Sequence, residues 1–255
     1  MITIKTQKEI DLLREGGKHN AFILKALTDA IHPNISTNDL NTLTLKLLEE
    51  KGDKSAFLGY TPEGAPRPYP AAVCISVNDE VVHGIPNEHP RILSMGDIVS
   101  IDFGLSHKGM ITDAAVTIPV GTIDSESKKL IEVTSAALEA GINAAVGGNR
   151  IGDIGFAIES CISPSGFSIV DILAGHGVGY SVHEDPYVPN IGKKGEGHLL
   201  KPGMVLAIEP IVNIGNKRVT FNKDGYTVRT ADHTRSAHFE HTIIITEGKA
   251  EVLTR

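Results

Sequence analysis

Apolar residues recur at helical spacing from the start of the chain. Ile10, Leu13, Gly17, Ala21, Leu24 and Leu27 share one face, and Thr6 with Glu9 forms a capping-box pattern ahead of them. This helix is expected to stop near His32-Pro33, because proline disfavours helical geometry in the residue before it. Ser36 or Thr37 then caps a second helix carrying Leu40, Leu43 and Leu47, ending near Lys51-Gly52. Residues 61–70, TPEGAPRPYP, are loop. Strand-like alternation follows in AAVCISV and EVVHGIP, and again in DIVSIDFG and MITDAAVTIPV around a turn placed at His107-Lys108-Gly109. Asp124 or Ser125 opens a long helix over 127–146 with Leu130, Val133, Ala137, Gly141 and Ala144 on one face, and a shorter helix spans 152–162. From Phe167 the chain is strands and turns.

The order helix, helix, strands thus occurs twice. Laying the second half on the first matches Ala26 to Ala140, Ala30 to Ala144, Asp39 to Asp153 and Leu40 to Ile154. The expected class is α+β, with two pseudo-equivalent halves, about 6–120 and 124–250, around one sheet system with a cleft between them. No linker divides them, so 1–255 reads as a single domain.

Composition narrows the function. With 24 Lys+Arg against 31 Asp+Glu, the formal charge is −7, which argues against a general nucleic-acid binder. The N-terminus lacks the layout of a signal peptide, and no uncharged apolar run approaches the roughly 20 residues that cross a bilayer. A cytoplasmic protein is expected. Two cysteines, Cys74 and Cys161, are too few for a disulfide framework.

The chemistry lies where polar residues interrupt apolar strands: Asp102 in IVSIDFG, Asp113 in MITDAAV, His176 in LAGHGVG, Glu209 in LAIEPIV and Glu240 in AHFEHTIII. Buried carboxylates need a counter-charge, and few lysines or arginines lie in these segments. Divalent metal supplies it, and a mixed carboxylate and imidazole set suits zinc, manganese, iron or cobalt. Asp102 and Asp113 are equidistant from a turn centred on His107-Lys108 and are expected to face each other across an antiparallel pair. Four carboxylates match two divalent ions, which could share and deprotonate a bridging water. His83 and His183 stand nearby as hydrogen-bond donors. His183 follows His176 by a spacing that suits neither a strand nor a helical pair, so it is not expected to share the ion. GHGVG lacks the spacing of a nucleotide loop.

The ordered set VCISVNDEVVHGIP, DIVSIDFG, ITDAAVT, GHGVG…HEDP, LAIEPIV and FEHTIIIT resembles the bacterial-type methionine aminopeptidases, type I. The resemblance implies the pita-bread fold, two pseudo-symmetric halves around a dinuclear metal cleft. It implies Asp102, Asp113, His176, Glu209 and Glu240 as ligands, with Asp113 and Glu240 bridging, and two divalent ions from among Co, Mn, Fe and Zn. It further implies removal of N-terminal methionine ahead of a small second residue, through a metal-bridging hydroxide. His183 would meet the carbonyl oxygen, His83 the scissile amide nitrogen, and Glu209 would shuttle the proton, while the substrate's α-amine would bind metal.

Positions matching the family's methionine pocket are Phe57, Tyr60, Tyr69, Cys74, Val182 and Tyr226. Val182 and Tyr226 replace the more usual Phe and Trp, and the interval from Tyr60 to Cys74 is longer by several residues. The chain resembles the short form, a monomer without an N-terminal zinc-binding extension. Its partners would be nascent chains with Met termini, with transient ribosome contact through a basic patch of Lys217, Lys223 and Arg229. The rival activity is Xaa-Pro dipeptidase or aminopeptidase P, whose members usually carry a further N-terminal domain. A non-catalytic binding module would be expected to have lost ligands, and all five are present.

Overall fold

The computed structural model describes residues 1–255. Helix α1 (Gln7–Asp29) opens on Thr6, which forms a capping box with Glu9. Helix α2 (Thr37–Lys51) opens on Ser36 with Asp39 closing a second box, and stops where Gly52 turns left-handed. Its buried stripe is Leu40, Thr44 and Leu48, with Leu43 and Leu47 only half-buried. A threonine is tolerated there because its hydroxyl donates to the Leu40 carbonyl at 2.8 Å. Helix α3 (Ser125–Ala144) is capped by Asp124 and so begins before residue 127. It ends before residue 146, where the chain turns so that Gly147 can pass against the Thr246 carbonyl; a Cβ there would lie 2.3 Å from that oxygen. Helix α4 (Ile151–Ile162) follows directly.

The long hairpin Ile98–His107/Met110–Pro119 is the spine of a nine-stranded sheet. Its two-residue turn is Lys108-Gly109, both with positive φ (48° and 86°), as a type I′ turn requires. This moves the turn from its expected centre. Asp102 pairs with Ala115 and Asp113 with Gly104, so the two acids do not face each other directly. They stand as diagonal neighbours on the same face.

That face collects the polar residues because antiparallel partners point the same way. One row runs Cys74, Asp102, Ala115, Glu240 across four strands. The next runs Gly104, Asp113, Thr242, Ala207, His176. At the join of the two halves of the sheet, threonine hydroxyls replace ladder bonds. Thr242 Oγ1 accepts from Asp113 N at 2.8 Å and donates to Asp113 O at 2.7 Å. Thr117 Oγ1 does the same for His238, at 2.8 and 2.9 Å.

The opposite face is apolar and covered by helices. Ile101, Phe103 and Leu105 pack with Leu24, Leu27 and Leu40 of α1 and α2. Leu206, Ile208 and Ile243 pack with Leu130, Ile154 and Ile158 of α3 and α4. The helix pairs therefore hold the sheet from behind and leave its polar face open to a cleft. No helix is long and apolar enough to cross a membrane.

Gly17, inside α1, tests this packing. Alanine is the better helix former by about 1 kcal/mol. A Cβ at Gly17, however, would lie 2.2 Å from the backbone oxygen of Leu253. Gly17→Ala should lower stability by roughly 1–3 kcal/mol through overpacking, read as a lower urea midpoint; a raised midpoint would mean that the C-terminal segment does not pack on α1.

Candidate active site

A cavity of about 300 Å³ opens onto the polar face, and every site residue expected from the sequence lines it. Asp113, His176 and Glu240 bring ligand atoms within 4.8 Å of one another. Asp102 adjoins them through the strand register, and Glu209 reaches in from the end of strand Val205–Ile208, its Oε1 3.3 Å from His176 Nε2. His176 Nδ1 donates to the Gly177 carbonyl at 2.9 Å, which turns Nε2 toward the carboxylates. Ala115 and Ala207 stand between these residues in the rows and leave the space clear.

The acids lack cationic partners. Asp102 Oδ1, Asp113 Oδ1 and Glu240 Oε1 are buried without any hydrogen-bond partner. Burial, followed by the charge of its acidic neighbours, holds Asp102 well above the ordinary carboxylate range, and Glu240 likewise. Asp113 is raised to about 6 by burial. Burial would raise Glu209 as well, but the imidazoles of His176 and His238, each 3.3 Å from it, outweigh that and bring it to about 2. Orphaned oxygens beside an oriented imidazole fit a divalent transition metal.

His238 is the residue the sequence analysis missed. It is buried, its Nε2 lies 3.3 Å from Glu209 Oε2 and 3.9 Å from Glu240 Oε2, and both ring nitrogens lack aligned partners. The available signal was its position two residues before Glu240, which in a strand places both on one face.

The two other histidines are neutral at pH 7. Burial drives His83 and His183 down to about 4. His83 takes a left-handed backbone (φ 59°), unusual for a non-glycine residue and typical of strain held at functional sites. His183 Nδ1 lies 2.9 Å from the Tyr60 hydroxyl, whose own pKa burial raises. With the phenol donating to Nδ1, the ring carries its proton on Nε2. The His176 and His183 rings meet edge-on at 4.5 Å, so the intervening turn makes them neighbours despite their sequence spacing.

Beside the acids, Phe57, Tyr69, Cys74 and Val182 form one apolar cluster with Tyr60 and Tyr226 packed against it. Gly104 makes room for Phe57, whose ring lies 2.5 Å from where a Cβ would stand. Tyr226 stacks edge-on against Tyr69 at 5.0 Å. The proline-rich segment 61–70 is tied to this wall, with Arg67 pairing with Glu88 at 2.6 Å and donating to the Asp224 carbonyl.

Two of the three residues expected in a basic patch are paired within the chain. Arg229 pairs with Asp79 at 2.8 Å and with Glu80, and Lys217 pairs with Asp171, so two of its three charges are neutralised.

Residues 11–247 match metallopeptidase family M24. The chain belongs to that family. It is 43% identical to methionine aminopeptidase 1 of Bacillus subtilis (strain 168), over the full length of both chains. Identity to the methionine aminopeptidase of Aquifex aeolicus is 42%, covering 99% of this chain and 98% of the other. The crystal structure of methionine aminopeptidase from Thermotoga maritima superposes with a TM-score of 0.95 at 43% identity, covering all of both chains. The prolidase from Pyrococcus furiosus shares the fold, with a TM-score of 0.75 at 22% identity, covering 99% of this chain and 65% of the other. The architecture is thus the pita-bread fold of the M24 enzymes, and membership makes metal dependence a property of this chain.

Ligands bind metal deprotonated, so metal held by the raised acids would displace protons from them. Affinity should therefore fall as pH drops through about 6, the value for Asp113. At pH 6, binding should release about one proton or more per chain, read as calorimetric heats that vary with the buffer's ionisation enthalpy. Heats independent of buffer would mean the acids are already ionised.

Proposed function

We propose that this chain is a metal-dependent methionine aminopeptidase that cleaves N-terminal methionine ahead of a small second residue. Two divalent ions would be held by Asp102, Asp113, His176, Glu209 and Glu240. The observation that carries this reading is the convergence of orphaned acids, two neutral histidines and an apolar aromatic pocket in one cavity. When bound, such ions polarise a carbonyl and lower the pKa of water enough to furnish a nucleophile near neutral pH.

The chain's own groups then do four things. The pocket of Phe57, Tyr60, Tyr69, Cys74, Val182 and Tyr226 takes the methionine side chain, an unbranched thioether that packs well against aromatic walls. His183, held in its Nε2–H form by Tyr60, donates to the scissile carbonyl oxygen as charge develops there. His83, also neutral, hydrogen-bonds the scissile amide nitrogen. Glu209, ionised between His176 and His238, accepts a proton from the attacking water and passes it to the leaving amine. Nascent chains are a natural source of such termini.

Asp102→Asn should abolish turnover of Met-Ala-Ser. His83→Ala and His183→Ala should lower it by roughly two to four orders of magnitude, the usual worth of a positioned acid–base or oxyanion donor, with bound metal unchanged by elemental analysis. Wild-type turnover by Asp102→Asn would overturn the ligand assignment. Xaa-Pro dipeptides should be poor substrates; their preferred cleavage would favour the dipeptidase activity found on the same fold. Equal cleavage of norleucine, leucine and methionine starts would count against a tight methionine pocket.

A further inference from the structure

At the turn end of the long hairpin, where it meets α1 and the end of α2, three elements bring His19, Asp53 and His107 together. His19 lies on α1, Asp53 directly follows the Gly52 that ends α2, and His107 is the last residue before the Lys108-Gly109 turn. The Asp53 carboxylate is 1% exposed, and its two oxygens face His19 Nδ1 at 2.7 Å and His107 Nδ1 at 2.6 Å. No lysine or arginine pairs with it. Helix α1 is thinned to admit this arrangement, since a Cβ on Gly16 would lie 2.8 Å from His107 Cβ.

The far nitrogen of His107 also meets a carboxylate. Nε2 is buried, 3.0 Å from Glu15 Oε2 but out of hydrogen-bond alignment, and Lys108 pairs with that same oxygen. A neutral imidazole has a single N–H, so a neutral ring would aim a lone pair at one of its two carboxylates. Lys108 stands at the Glu15 end, whereas at the Asp53 end only the two imidazoles face the carboxylate. A carboxylate behind one ring nitrogen is the usual support of a metal-binding histidine, since it holds the proton there and turns the other nitrogen's lone pair toward the ion.

We propose that His19 Nδ1, His107 Nδ1 and the Asp53 carboxylate form a second metal site, separate from the cleft and independent of the activity proposed above. Two imidazoles and one carboxylate select a borderline transition ion of the zinc type over magnesium or calcium. Tetrahedral zinc with bonds of about 2.1 Å sets its ligands about 3.4 Å apart. Occupation therefore spreads each histidine from Asp53 by about 0.8 Å, and the 23% exposed His19 has an open side to move toward. Water completes the fourth position there. The ion clasps α1, the end of α2 and the hairpin turn.

The test separates the two sites by disabling the cleft. In Asp113→Ala/Glu240→Ala protein dialysed against zinc, elemental analysis should find about one ion per chain, and zinc but not magnesium should raise the unfolding temperature. Adding His19→Gln, which keeps a hydrogen-bonding side chain at a half-exposed position, should weaken zinc binding at least ~10-fold, as loss of one ligand does. The isosteric Asp53→Asn should do the same. Failure of the cleft variant to retain zinc, or retention unaffected by His19→Gln and Asp53→Asn, would overturn the assignment and leave an imidazolium–carboxylate clasp.

Discussion

Four carboxylates on one dry face of a sheet repel each other, and the whole molecule is arranged so that they stay there. Asp102, Asp113 and Glu240 are buried without a lysine or arginine, and each is displaced from the ordinary carboxylate range. Such a cluster is unfavourable by itself and becomes favourable only with added positive charge. The cost has to be met by the rest of the fold. The helix pairs meet it, each burying an apolar stripe against the reverse face of the sheet, so that neither half depends on the acids for its cohesion.

Rigidity at the join follows from the same need. Acids held by flexible loops would relax away from each other into solvent. Here Thr242 clamps the backbone of Asp113 from both sides, and Thr117 clamps His238 in the same manner. Each hydroxyl both donates and accepts, so a place where the ladder would break is still fully bonded. Small residues between the acids keep the surface clear, and Gly104 adds room for Phe57 beside it. The carboxylate pair and the wall of the pocket are thus set by adjacent positions of one hairpin.

Much of this was legible in the sequence because it depends on local rules. Capping boxes at Thr6 and Ser36 mark helix starts, and polar residues inside apolar strands mark the acids. What escaped were quantities fixed by long-range register. A shift of the turn to Lys108-Gly109 turned a facing Asp102–Asp113 pair into a diagonal one, a distinction that only turn geometry settles. His238 escaped because a lone histidine in an apolar strand carries no sign of what lies across the sheet, and its partner Glu209 comes from a distant strand. The same blindness made Arg229 and Lys217 read as free charges, since Asp79, Glu80 and Asp171 meet them only in the folded chain.

Counter-charge also sorts the acids of the molecule by role. Glu184 is largely buried and pairs with the buried Lys5 at 2.7 Å. Glu80, also buried, pairs with Arg91 and Arg229. These acids are compensated within the chain and need nothing further, which makes them structural. The cleft acids and Asp53 differ in having no lysine or arginine partner, the only basic groups paired with any of them being imidazoles. An imidazole answers a carboxylate in two ways, by protonation or by joining it in holding a metal, so its presence without lysine or arginine leaves a vacancy of charge. That unmet negative charge supports reading the cleft as a metal centre independently of resemblance. Applied evenly, the same criterion points to His19, Asp53 and His107 and passes over the acids that already have their cations.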